Sequence, residues 1–180
     1  MTRTPHSPRA IDALAYPDAL ERAEARLVAE RRRAVDPSWQ PADAEGFSAK
    51  TAMLVEQFNS YEAQPGKMVN GKLTLGENIA DLGGLTVAYD ALKLASGADF
   101  KDPMTDGMTQ DQRFFINWAT VWRRGFTDKE MSVRLVTDSH APAGFRANGA
   151  PSNMPIFAAA FGCKAGDPMV RSDDQRIAIW

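Results

Sequence analysis

Gly76-Glu77-Asn78-Ile79-Ala80-Asp81-Leu82-Gly83-Gly84 is the stretch on which the reading of this chain turns. Ile79, Leu82, Thr86 and Tyr89 recur at helical spacing through it and beyond, which predicts an amphipathic helix running to about Ala95. Residues four apart stand on one face of a helix, so Glu77 and Asp81 share a common space. That pairing has a chemistry: a Glu can ligate zinc while an Asp one turn later holds a ligating imidazole by its other N–H. It also has a purely structural alternative. Thr74 is a candidate N-cap, and Glu77, three residues on, would complete a capping box. The two roles compete for one carboxylate. Gly83-Gly84 predicts a place where another backbone comes close.

The flanking segments read as mostly helical. Residues 41–61 place Phe47, Leu54, Phe58 and Tyr61 toward a core. Met68-Val69-Asn70-Gly71-Lys72-Leu73 sets Asn-Gly between apolar residues, the signal for a hairpin whose two central positions need positive φ. Gly97 and Pro103 stop the central helix and open a loop. A third helix, 109–124, carries Phe114, Phe115, Trp118, Val121 and Trp122 along one side, which reads as core, and a shorter helix fits 127–135. Residues 1–38 stand apart. They are rich in Arg and Ala, hold no lysine, and offer a solvated helix over 18–34 that ends in Arg31-Arg32-Arg33. The expected organisation is therefore a loosely packed segment 1–38 and a coherent domain 39–180, mainly α with one small β-hairpin.

Composition narrows the function classes. With 21 basic and 23 acidic residues, no electrostatic footprint for nucleic acid or an anionic membrane is present. No apolar run approaches the roughly 20 residues of a membrane helix, and no apolar stretch follows the basic start as a secretory signal requires. Location is left open by these observations. The single Cys163 excludes an internal disulfide and a cysteine-cluster metal site.

A second concentration of reactive side chains lies downstream. Thr137-Asp138-Ser139-His140-Ala141-Pro142 and Phe145-Arg146-Ala147-Asn148-Gly149 bring an acid, an imidazole and a guanidinium within nine residues. A neutral imidazole donates one hydrogen bond, and a nearby carboxylate such as Asp138 can fix its tautomer. A guanidinium offers a planar fork of donors suited to a carbonyl or carboxylate.

Together with E-N-x-A-D-x-G-G at 77–84, these segments resemble, in order, the D-x-H-[SA]-P and F-R-x-N-G motifs of the neprilysin-type zinc endopeptidases. Asn153-Met154-Pro155, Phe161-x-Cys163 and a terminal Arg176-Ile177-Ala178-Ile179-Trp180 extend the resemblance over residues 39–180. It implies the C-terminal helical lobe of a thermolysin-like (gluzincin) metallopeptidase domain acting on peptides. It implies Glu77 as a zinc ligand, Asp81 as the orienter of a ligating histidine, His140 with Asp138 as donor to the tetrahedral oxyanion, and Arg146 as the grip on a substrate carbonyl.

The same family takes two ligands and its general base from an upstream H-E-x-x-H helix. The only histidines here are His6 and His140. Catalytic zinc needs three protein ligands and a water, of which this sequence offers Glu77. Three expectations follow. The chain is a separated C-terminal part, inert alone, for which an out-of-frame arginine-rich start is one origin; or it is a split-enzyme subunit completed by another chain that carries H-E-x-x-H; or it is a non-catalytic peptide-binding module.

Overall fold

A computed structural model describes residues 40–97 and 100–179. The arginine-rich segment 1–38, the helix expected within it and Trp180 lie outside the described residues. The described chain forms six helices and one two-stranded antiparallel pair, the mainly helical architecture that the sequence implies.

Helix α1 spans Pro41–Asn59 and begins with Pro at its first position, where the missing N–H would go unpaired anyway. The Gln40 N–H donates to Asp43 Oδ2 at 3.1 Å, which closes that end. Leu54 and Phe58, four apart, are buried, and Phe47 and Tyr61 pack against the same core.

The hairpin sits earlier than Asn70-Gly71 suggests. Strand β1, Glu62–Gln64, pairs with β2, Lys67–Met68, and Glu62 lies opposite Met68. Pro65-Gly66 makes the turn, with Gly66 at φ +72°, the Pro then positive-φ Gly combination of a type II turn. Asn70-Gly71 does something else. The Asn70 side chain accepts from the Leu73 N–H at 3.0 Å and its carbonyl from the Thr74 N–H at 3.1 Å, winding the chain toward the next helix. Gly71 is demanded by proximity, because a Cβ there would stand 2.2 Å from the Val55 carbonyl oxygen.

Helix α2, Leu75–Ser96, buries Asn78, Asp81, Leu82 and Leu85 against α1 and the core. Its start lacks the expected capping box. The Thr74 hydroxyl donates to the Asn70 carbonyl at 3.1 Å and accepts from Asn78 Nδ2 at 2.9 Å, so it caps no N–H and the Glu77 carboxylate stays available. Gly83 is buried, whereas a Cβ on Gly84 would meet nothing; the close approach expected of the pair does not extend to Gly84.

Helix α3, Gln110–Val121, has the capping box that α2 lacks: Gln112 N–H donates to Thr109 Oγ1, and Thr109 N–H to Gln112 Oε1. Phe115 is fully buried and meets Phe157 edge-on at 5.3 Å. The core stripe read from the sequence is shorter than expected, for Val121 is 64% exposed. Helix α4, Asp128–Thr137, buries no residue at all. It is held from below by the hairpin, where Gln64 Nε2 donates to the Asp128 carbonyl and Lys67 Nζ to Ser132 Oγ.

Helix α5, Ala143–Gly149, a single 3₁₀ turn at Pro151–Asn153 and helix α6, Pro155–Phe161, complete the fold. A buried polar network locks them to α1. Gln57 Nε2 donates to the Gly149 carbonyl and Ser152 Oγ, Asn153 Nδ2 donates to Gln57 Oε1, and Asn153 Oδ1 accepts from the Ile177 N–H at 3.1 Å. Each of those groups would be costly to bury unpaired, so the tail at Ile177 and Ile179 is fixed as part of the core.

Gly71→Ala forces a methyl against backbone and should lose about 1–3 kcal/mol or more, as overpacking does. Gly84→Ala fills open space in a helix interior and should gain about 0.5–1 kcal/mol. Urea midpoints of the two variants, moving in opposite directions, check the packing assignment.

Candidate active site

Three elements deliver the reactive side chains to one place. Glu77 and Asp81 stand one turn apart near the start of α2. Asp138 ends α4 in an extended conformation, with φ −93° and ψ 128°, so the chain leaves the helix there. Its Oδ1 then accepts both the His140 backbone N–H at 2.9 Å and a contact from the ring Nδ1 at 2.8 Å, the local turn that an Asp two residues upstream builds. Pro142 opens α5, whose first full turn brings Arg146 back to α2.

The contacts between these elements are short. Arg146 Nε and Nη2 each lie 2.6 Å from a different oxygen of Asp81, a bidentate fork. Both partners are buried, Arg146 at 7% and Asp81 at 8% exposure. Glu77 is half exposed beside them, with Oε2 at 3.7 Å from Arg146 Nη2 and 3.1 Å from His140 Nε2. The two carboxylates on one face of α2 therefore do not stand alone, because a guanidinium lies against both. Trp122 covers the other side of that guanidinium, whose centre is 4.0 Å from the indole ring.

Both ring nitrogens of His140 face carboxylate oxygens, Asp138 on one side and Glu77 on the other. A neutral imidazole can donate to one of them, and a doubly protonated ring to both. The His140 backbone N–H, with the ring and Arg134 adding to it, holds the Asp138 carboxyl below its usual range. Asp138 is thereby kept as an acceptor. A cavity of ≈ 30 Å³ lined by Phe126, Leu135 and Pro142 adjoins the pair, room for about one water rather than a substrate side chain.

All five side chains singled out from the sequence, Glu77, Asp81, Asp138, His140 and Arg146, thus meet in one cluster. Among the described residues no group of three or more His, Cys, Asp or Glu side chains is arranged to hold a metal ion. The described residues therefore do not by themselves complete a zinc site. Sequence reasoning missed Arg134, whose Nη1 donates to Asp138 Oδ2 at 2.7 Å. The signal was present: Glu130, Arg134 and Asp138 recur at four-residue spacing, with charges alternating in sign along one face. Trp122, assigned to the core, is instead half-buried against Arg146.

Residues 28–177 match the sequence model of peptidase family M13. The chain belongs to peptidase family M13. Endothelin-converting enzyme 1 of Bos taurus is 42% identical over 147 residues, 80% of this chain and 19% of that protein. Neprilysin-1 of Caenorhabditis elegans is 35% identical, over 79% of this chain and 19% of its own length. The zinc metalloprotease Zmp1 of Mycobacterium tuberculosis, solved with an inhibitor, superposes with a TM-score of 0.76 at 37% identity, covering 79% of this chain and 22% of that one. PepO from Lactobacillus rhamnosis gives a TM-score of 0.66 at 32% identity, over 79% of this chain and 21% of its own. The M13 chain described here therefore spans about a fifth of the length of these relatives. Its neighbours place it among the neprilysin-like metallopeptidases, and no helix of the described residues is long and apolar enough to cross a membrane.

Asp81→Ala strips a buried guanidinium of its bidentate partner, leaving it only Glu77 Oε2 at 3.7 Å, and should destabilise the chain by about 3–5 kcal/mol, whereas Asp81→Leu with Arg146→Met should recover most of that loss. Urea denaturation of the three proteins measures it. The lowered Asp138 titration stabilises the fold above the ordinary carboxyl range and is lost as pH falls through the lowered value. Wild type and Asp138→Asn should therefore differ in stability near neutrality and converge in acid.

Proposed function

We propose that this M13 chain supplies one wall of a zinc metalloendopeptidase site and that the remaining ligands come from an H-E-x-x-H segment the sequence does not contain. The observation that carries the reading is the convergence of His140 and Arg146, from separate elements, on Glu77 Oε2, at 3.1 Å and 3.7 Å.

Glu77 keeps a half-exposed carboxylate free of any helix cap, as a ligand to an outside metal must. Asp81 accepts the Arg146 fork but retains further lone pairs, since an ionised carboxylate offers about four acceptor sites; one of these orients an incoming ligand histidine. His140 has its Nδ1 side held by Asp138 and, with a proton on each ring nitrogen, presents Nε2 as a donor where negative charge develops on a peptide carbonyl. Arg146 spends two of its five N–H donors on Asp81, and the others serve to hold a substrate carbonyl. Zinc, once bound by the complete ligand set, would polarise the scissile carbonyl. Without imidazole partners the chain alone binds no stoichiometric zinc and cleaves no peptide.

The test is an enzyme assembled from this chain and an M13 portion bearing H-E-x-x-H. His140→Ala should lower turnover about 10²–10³-fold, the cost of one oxyanion donor, with zinc content retained. Glu77→Ala should lose the metal. Unchanged turnover in both variants would sink the assignment of roles, and one tightly held zinc in the chain alone would overturn the composite site.

A further inference from the structure

Asp138 has two oxygens with different partners. Oδ1 serves His140 twice, through backbone and ring, while Oδ2 accepts from Arg134 Nη1 at 2.7 Å. The terminal torsion of an Asp side chain is broad, so nothing intrinsic to Asp138 fixes where Oδ1 points. Arg134 does not share that freedom. Its Nε donates to Glu130 Oε1 at 2.8 Å and its guanidinium lies 4.3 Å over the Phe126 ring. Those contacts on two edges and one face favour a single orientation of its planar fork.

Stability is a poor explanation for this arrangement. The side chains are 39% exposed for Arg134, 47% for Glu130 and 20% for Asp138, and exposed pairs of this kind contribute about 0–1 kcal/mol. What the pair does supply is direction. Glu77 Oε2 draws His140 Nε2 from the far side at 3.1 Å, and the ring settles between that pull and Asp138 Oδ1.

Resting on the reading of His140 as the oxyanion donor, we propose that Arg134 is a positioning residue for its imidazole, acting through the carboxylate of Asp138, with Glu130 and Phe126 as its own supports. Remove the guanidinium and Asp138 keeps its charge and the backbone N–H of His140 on Oδ1, but loses the bond at Oδ2 that sets the plane of its carboxylate. The ring then follows Glu77, and Nε2 no longer faces the place where charge develops.

The experiment is nitrogen-15 NMR of the chain labelled at histidine, at one fixed pH, with His6 as the only other imidazole and so the internal reference. In the wild type, His140 Nδ1 should carry a hydrogen-bonded proton. Arg134→Ala should lose that signal. Arg134→Lys, a point charge of similar reach without the fork, should keep part of it. Thr127→Ala removes the α4 cap, whose hydroxyl accepts from the Glu130 N–H, without touching Asp138, and should keep all of it. A signal that persists in Arg134→Ala, or that vanishes equally in Thr127→Ala, overturns the proposal. Circular dichroism on each variant separates loss of aim from loss of helix. The readout needs no peptidase activity. In the assembled enzyme, Arg134→Ala should lower kcat several-fold with KM unchanged; a lost NMR signal with undiminished kcat supports the link from Arg134 to His140 and refutes the oxyanion role of His140.

Discussion

The fork between Arg146 and Asp81 is the constraint on which the rest of the site depends. Its partners lie 65 residues apart in sequence, and each is a charge withdrawn from water. Such a pair is retained only where both hydrogen bonds are short and aligned, since the desolvation of either ion alone costs several kcal/mol. The fork fixes α5 against the first turns of α2. The loop that carries Asp138 and His140 is strung between α4 and α5, so its far end is set by the same fork. Gln57 Nε2 and Asn153 Nδ2, both donating to the Gly149 carbonyl, fix the C-terminal end of α5, and the seven-residue helix is thereby held at its middle and at that end.

That arrangement explains how a helix with no buried residue can bear on the site. α4 has no fully buried residue, although Leu135 packs partly against the core, and it ends at Asp138. It is held by polar contacts to the hairpin and by its own Glu130–Arg134–Asp138 ladder, so its direction depends on hydrogen-bond geometry as well as on the apolar packing of Leu135. Val133 and Val136 on it, and Val121 at the end of α3, are 50%, 74% and 64% exposed.

Much of this was legible in the sequence, for a physical reason. Helical periodicity is local, so α1, α2 and α3 could be placed from Leu54 and Phe58, from Ile79 and Leu82, and from Phe114 and Phe115. The reactive residues were legible as motifs, because Asp138 and His140 interact within one turn of chain. Features set by distant partners were not. Asn70-Gly71 looks like a hairpin turn, but Gly71 answers to the Val55 carbonyl on another element. Thr74 looks like a cap, but Asn70 and Asn78 take its hydroxyl. The Asp81–Arg146 fork left no trace in either motif, since a pairing across 65 residues has no periodicity to read. Arg134 was legible in principle from its four-residue spacing, and was overlooked because such ladders ordinarily mark a solvated face.

On the reading proposed above, Glu77 and its neighbours form part of a zinc site completed from outside the sequence. The most direct measurement is a set of zinc-binding isotherms on this chain, on a folded M13 portion bearing H-E-x-x-H, and on the two together. Zinc affinity in the mixture should exceed that of either component by orders of magnitude, and Glu77→Ala should abolish the gain. Equal affinity for the mixture and for the H-E-x-x-H portion alone would contradict the claim.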